Sequence, residues 1–217
     1  MKNIRYYASA RKDLDEFIPK GLTRTLDLGC GSGEFSKKLQ DMFGVPETWG
    51  IEGNPDAAKI AKESIGNLLC GDVNLLVEQL PNSHFDCIFC NDILEHLTDP
   101  WGLLNMLKEK LASDGTIIAS IPNILHYKVL YGLIFKKDFK YIEAGVLDST
   151  HLRFFTKKSI FRMFNETGYE VVQHKAINVT RKWKVKIFGF VTFGFFNDIR
   201  ATQFLFVVRK KHGEAIV

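Results

Sequence analysis

Long apolar runs are missing from this sequence. No stretch reaches the roughly 18–20 consecutive apolar residues that a bilayer span requires. The opening residues, Met1-Lys2-Asn3-Ile4-Arg5-Tyr6-Tyr7, lack the apolar core of a secretory signal. The expectation is a cytoplasmic protein. An excess of one charge is missing too: 29 Lys and Arg against 25 Asp and Glu leave a net charge of +4, spread over most of 217 residues. So mild a balance predicts no nucleic-acid partner. Cysteine is scarce, with Cys30, Cys70, Cys87 and Cys90 in or beside predicted strands or a glycine loop. Cys87 and Cys90 have C-x-x-C spacing, but strand residues three apart point to opposite faces, so the pair cannot readily share a metal. All four read as reduced core cysteines. No other His/Cys group has zinc spacing, and no metal is expected. Internal repeats and low-complexity segments are absent as well.

What is present, 46% hydrophobic and 25% charged residues, suits one α/β domain over 1–217 with insertions. A short amphipathic helix is predicted at 10–18. Strands and helices then alternate: strand Arg24–Leu28, helix Glu34–Phe43, strand Thr48–Glu52, helix Pro55–Ile65, strand Asn67–Cys70 and a weaker helix at Val73–Leu80. Phe85–Cys90 and Thr116–Ile121 are short, apolar and β-branched, as doubly buried parallel strands should be, with a helix at Trp101–Leu111 between them. The aromatic, basic stretch 122–156, with a helix predicted at Ile124–Phe135, is too long for an ordinary loop and reads as a lid or substrate insertion. Helix Lys157–Thr167 and strands Tyr169–Ile177 and Thr202–Arg209 close the chain around a second insertion, 178–201. The pattern is a parallel sheet wound with helices on both faces.

The run Leu26-Asp27-Leu28-Gly29-Cys30-Gly31-Ser32-Gly33-Glu34-Phe35 ends the first strand and opens a helix. A dinucleotide fingerprint would need glycine at 29, 31 and 34. Position 34 is Glu, and a carboxylate in the first helical turn would repel a pyrophosphate. A nicotinamide oxidoreductase fails on that residue. The G-x-G-x-G loop with Asp27 before it suits a ligand without phosphate that carries an ammonium and a sulfonium. Glu52 closes the second strand, where an acid can accept both ribose hydroxyls. Asp72 follows the third strand, where a carboxylate can accept an adenine amino group. With their neighbours Cys30, Phe35, Gly53 and Val73, these acids and glycines form the candidate cofactor site.

The glycine run resembles motif I of the class I S-adenosylmethionine (SAM) methyltransferases. Phe85 to Pro100, with Asn91, Asp92, Leu94-Glu95-His96, resembles motif IV of the same superfamily, in the form found in ubiquinone- and menaquinone-pathway enzymes. It lacks the Asn/Asp-Pro-Pro-Tyr tetrad of nucleobase and amide amino-methyltransferases. The resemblance implies that this loop runs beside the methionine part of the cofactor, which adds Asn91, Asp92 and His96 to the site. The competing reading makes Glu95 and His96 fasteners of a helix start. Tyr6-Tyr7…Arg11, Ser120-Ile121-Pro122-Asn123…His126 and Leu147-Asp148-Ser149-Thr150-His151-Leu152-Arg153-Phe154-Phe155-Thr156 resemble a bacterial branch often associated with surface-polysaccharide and O-antigen biosynthesis. The resemblance also implies a Rossmann-like seven-stranded sheet of order 3-2-1-4-5-7-6, its last strand antiparallel.

His151 and His126, both in the first insertion, are the candidate general bases, since histidine ordinarily titrates near neutrality. The alternative for each is a structural hydrogen bond. Arg153 lies two residues from His151 and on an extended segment shares its face, so the two could grip an acceptor phosphate or carboxylate; otherwise Arg153 anchors the lid. The segment Arg181–Phe196 places four cations around Trp183 before a ten-residue aromatic run, suiting peripheral membrane contact, or else a flap or dimer contact. The expectation is methyl transfer to an oxygen of a small molecule, a saccharide or its nucleotide- or lipid-linked form, by a monomer or homodimer. A quinone or phenol O-methyltransferase and a non-catalytic SAM-binding protein are the alternatives.

Overall fold

The computed structural model describes residues 10–181 and 197–211; the basic and aromatic stretch from 182 to 196 and the Tyr6-Tyr7 pair lie outside the described residues. Seven strands form one sheet: β1 (Arg24–Leu28), β2 (Glu47–Glu52), β3 (Asn67–Cys70), β4 (Phe85–Asn91), β5 (Leu111–Pro122), β6 (Tyr169–Val179) and β7 (Ala201–Lys210). Their order is β3-β2-β1-β4-β5-β7-β6. The first five pair in parallel. β7 runs antiparallel to both β5 and β6, as expected.

Both faces of the central strands are apolar, and alternate residues go to separate cores. In β4, Ile88 and Cys90 enter one core while Cys87 and Phe89 enter the other; in β7, Phe204, Phe206 and Val208 oppose Leu205 and Val207. The first core is closed by α4 (Pro100–Lys110) and α6 (Lys157–Glu166), through Leu103, Leu104, Leu107, Ile160, Met163 and Phe164. The second is closed by Phe35 and Leu39 of α1 (Glu34–Phe43) and by Leu14 and Phe17. Cys87 and Cys90 therefore face apart. Burial pushes the Cys87 thiol up to about 12 and Cys90 in the same direction. Cys70 departs from its core assignment: β3 is the edge strand, and its thiol is exposed.

Several helix starts follow side-chain capping. Asn54 accepts from the amides of Asp56 and Ala57 to open α2 (Pro55–Ala61), and Asp99 accepts from Gly102 to open α4. Both caps precede a proline at the first helical position. α2 stops four residues short of its predicted end because the chain must turn at 62–66 to deliver β3, while Ile65 remains buried. The helix expected at 10–18 is a 3-10 turn, Lys12–Phe17, just long enough to bury Leu14 and Phe17. The helix expected at 124–135 divides into α5 (Tyr127–Tyr131) and a π turn, Gly132–Lys136, where glycine and the surrounding solvent give a regular helix no support. Among the described residues, no helix is long and apolar enough to cross a membrane.

Gly33 opens α1 at φ +83°, and a Cβ there would lie 3.1 Å from the Ala61 Cα. Gly33→Ala is expected to destabilise the protein by about 1–3 kcal/mol. Urea denaturation checks this, and an unshifted midpoint would show that the α1–α2 contact is loose.

Candidate active site

A cavity of 1320 Å³ lies across the carboxyl ends of β1, β2 and β4. Much of its polar wall comes from residues at or just after strand ends, where the chain leaves the sheet and can turn side chains and amides toward a ligand. After β1, Gly29 adopts φ +69°, and a Cβ there would stand 3.3 Å from Ile93, so the loop packs against the β4 exit only as glycine. Gly29, Cys30, Gly31 and Phe35 line the cavity. Gly33 lies outside this lining and makes the α1–α2 contact.

Glu52, at the end of β2, accepts from the Gly31 amide at 2.8 Å with Oε2 and from the Asn54 amide at 2.7 Å with Oε1. It ties the glycine loop to the second strand, and each oxygen retains a lone pair for a ligand hydroxyl. Gly53 lies beside it. Asp72 caps α3 (Val73–Leu76) by accepting from the Asn74 amide at 2.9 Å and the Asn74 side chain at 3.0 Å, both with Oδ1. Its Oδ2 takes part in neither bond. Asp72 and Val73 form the far wall.

Asp27 sits under the glycine loop, where it accepts from the Ser36 hydroxyl at 3.4 Å. Burial pushes its carboxyl up to about 7, against the lowering pull of Ser36 and Arg11, and Glu52 adds to the rise. Arg11 enters from the N-terminal side. Its guanidinium donates to Asp92 Oδ2 at 2.5 Å and to both oxygens of Asp13 at 3.0 and 3.1 Å. Asp92, at φ +52°, also accepts from the Gln203 side chain of β7. Arg11, Gln203 and Asn91 all line the cavity. Arg11 and Gln203 escaped assignment from sequence because they lie 81 and 111 residues from Asp92.

The opposite end is built from the short turn Leu94–His96 and the segment 146–151. The Glu95 carbonyl accepts from the amides of Leu152 and Arg153 at 2.8 and 2.9 Å, fastening the two together. The Glu95 side chain is buried, and neither carboxylate oxygen meets a hydrogen-bond partner. Burial and the Asp92 charge hold it well above the usual carboxylate range. His151 Nε2 lies 3.9 Å from Glu95 Oε1, and the His151 and His96 rings meet edge to face at 4.7 Å. His151 Nδ1 is 3.0 Å from the Val146 carbonyl, so this nitrogen carries the hydrogen and the neutral ring's lone pair is on Nε2. His96 Nδ1 is likewise 3.1 Å from the Thr150 carbonyl. Sequence spacing predicts no metal site; the fold nevertheless brings one ligand atom each of Glu95, His96 and His151 within 4.8 Å of one another, a donor set divalent cations accept.

Two candidate catalytic residues fall outside the cavity lining. His126 is buried at the start of α5, where desolvation and Lys128 push its pKa down to about 4. Its imidazole is thus a weak base set apart from the cavity lining. Arg153 is exposed and donates to the Thr98 carbonyl at 3.1 Å. It anchors the segment rather than sharing a face with buried His151.

Residues 2–174 match a protein family described as a methyltransferase domain. The chain belongs to that family. Over 192 residues the methyltransferase is 24% identical to a ubiquinone biosynthesis O-methyltransferase of Rickettsia typhi, covering 85% of this chain and 72% of that protein. It is 28% identical over 99 residues to a trans-aconitate 2-methyltransferase of Agrobacterium fabrum, covering 46% and 38%. A SAM-dependent methyltransferase from Archaeoglobus fulgidus superposes with a TM-score of 0.72 at 19% identity, over 95% of this chain and 96% of that one. One from Mesorhizobium loti gives 0.67 at 16%, over 96% and 100%. The cofactor of this methyltransferase is SAM, and the cavity lining suits it: carboxylates able to face an ammonium and a sulfonium, with Arg11 beside them.

A carboxyl raised to about 7 ionises between roughly pH 6 and 8 and attracts a cation only when ionised. SAM affinity is therefore expected to rise with pH through that window and to lose most of the dependence in Asp27→Asn, as read by titration calorimetry. The folded carboxyl holds its proton more tightly than an unfolded one, so it lowers stability as pH rises from about 4 to about 7. Asp27→Asn should accordingly raise the melting temperature of the ligand-free protein at pH 8. A flat wild-type affinity profile would remove Asp27 from the cation's surroundings.

Proposed function

We propose that this methyltransferase acts on a hydroxyl oxygen of a small, planar, largely apolar acceptor of the phenol or quinol kind. The observation that carries the proposal is the placement of His151: buried in the cavity wall, its Nδ1 hydrogen fixed on the Val146 carbonyl and its ring 6.4 Å from Phe154, beside Phe139 and Tyr141. The O-methyltransferase names of several relatives agree with it.

In this reading Asp27, Gly29, Cys30, Gly31 and Phe35 hold the amino-acid end of SAM, with Asn91, Asp92 and His96 beside it. Glu52 and Gly53 take the ribose and Asp72 and Val73 the adenine, Asp72 through Oδ2. When bound, SAM supplies a methyl group already activated on a sulfonium. The chain has then to hold an acceptor oxygen in line, a contribution of up to ~7–11 kcal/mol, and to remove its proton. His151 Nε2 takes that proton. The Val146 carbonyl stabilises the imidazolium through Nδ1–H, and Glu95 faces the new charge from 3.9 Å. The likeness of the segments at 120–126 and 147–156 to the polysaccharide-associated branch supports a saccharide hydroxyl as a second reading; the relatives' names do not add to it.

His151→Ala is expected to lower turnover by about 10²–10⁴-fold with SAM affinity unchanged. The assay is S-adenosylhomocysteine release over catechols, quinol precursors, phenols and nucleotide sugars. Turnover confined to nucleotide sugars would replace the acceptor class, and unchanged turnover in the variant would remove His151. Tight SAM binding with no product on any acceptor would favour a non-catalytic binding protein.

A further inference from the structure

Residues 133–145 are all exposed, yet large apolar side chains stand among their charged ones. Tyr131, Leu133, Ile134, Phe135, Phe139 and Tyr141 project large apolar side chains into solvent, Ile134 at 63% exposure and Phe135 at 73%. The group packs on itself. Tyr131 packs on Phe135 at 5.3 Å, and Phe139 meets Tyr141 and Phe154 edge to face at 5.4 and 5.5 Å. Four lysines, Lys128, Lys136, Lys137 and Lys140, are interleaved with these side chains against two acids, Asp138 and Glu143. The Lys136 ammonium sits 5.8 Å from the Tyr131 ring centre.

We propose that this lobe, α5 with the π turn and the strap to Tyr141, is an interfacial anchor that seats the methyltransferase on an anionic phospholipid bilayer. A water-exposed apolar patch rimmed by charge marks an interaction surface. Here the rim has one sign in excess, and lysines among aromatic side chains are the composition that enters the headgroup layer. α5 and the π turn have five residues each, far too few to span a bilayer. The lobe is continuous with the cavity mouth. Glu143, Ala144 and Gly145 line the cavity, and Phe139 and Tyr141 lead through Phe154 to His151. Resting on the proposed apolar acceptor, this arrangement lets a lipid-dissolved molecule pass from the bilayer to the imidazole without crossing water.

The test is flotation of the full chain with phosphatidylglycerol-containing vesicles and with pure phosphatidylcholine vesicles. Wild type is expected to favour the anionic vesicles by more than about tenfold. Ile134→Asp/Phe135→Asp and Lys136→Gln/Lys137→Gln/Lys140→Gln should each lose most of that preference, with SAM affinity and melting temperature unchanged. Absence of anionic preference in wild type, or its retention in both variants, overturns the proposal. A dimer converted to monomer by Ile134→Asp/Phe135→Asp, without vesicle binding, assigns the face to a second copy instead. Turnover on a water-soluble acceptor, measured in parallel, separates the two readings: its loss with vesicle binding intact sinks the acceptor assignment and leaves the anchor.

Discussion

The carboxyl ends of β1, β2 and β4 gather Asp27, Glu52, Asp92 and Glu95 around one space, and like charges withdrawn from water must be either neutralised or balanced. The fold answers differently for each acid. Glu52 receives two backbone amides, Asp92 receives Arg11 and Gln203, and Asp27 receives Ser36 together with a raised proton affinity. Glu95 receives nothing through its carboxylate, and burial beside Asp92 raises its proton affinity. The glycine loop, the N-terminal turn and the antiparallel strand β7 are all recruited into this balance. A cation in the cavity would add to this balance, because a positive charge beside buried carboxylates favours their ionised form.

β7 earns its position through that balance. Running antiparallel between β5 and β6, it presents Thr202 and Gln203 at the end where the parallel strands present their carboxyl termini. A parallel strand there would bring its amino end to the opposite edge of the sheet. Asp92 would then lose the amide that holds it against Arg11. The same strand carries Phe204, Phe206 and Val208 into the core beneath α6, so one element secures both packing and site.

Local signals made much of this legible in the sequence. β1, α1 and β3 occupy the spans read from it because an apolar run, a glycine or a proline marks each boundary. The glycine loop, Glu52 and Asp72 fall where strand ends put them, and alternation along β4 separates Cys87 from Cys90. What sequence could not give depends on distance along the chain. Arg11 reaches Asp92 across 81 residues, and His151 reaches Glu95 across a whole insertion, with no periodicity to announce either meeting. His126 and Arg153 look equivalent to His151 in sequence; only their place relative to the cavity and their partners separate them. The π turn escapes pattern reading for a related reason, since its apolar residues lack the inward face that helical periodicity presumes.

The Glu95 carbonyl, which accepts from both Leu152 and Arg153, divides the first insertion into two kinds of territory. Downstream, the segment bearing His151 is riveted to the β4 exit and moves only with the sheet. Upstream, residues 133–145 touch the core lightly and face outward. The imidazole and the acids beneath it are thereby held by contacts that the upstream stretch does not supply, so a change of side chains at 133–145 leaves those contacts standing.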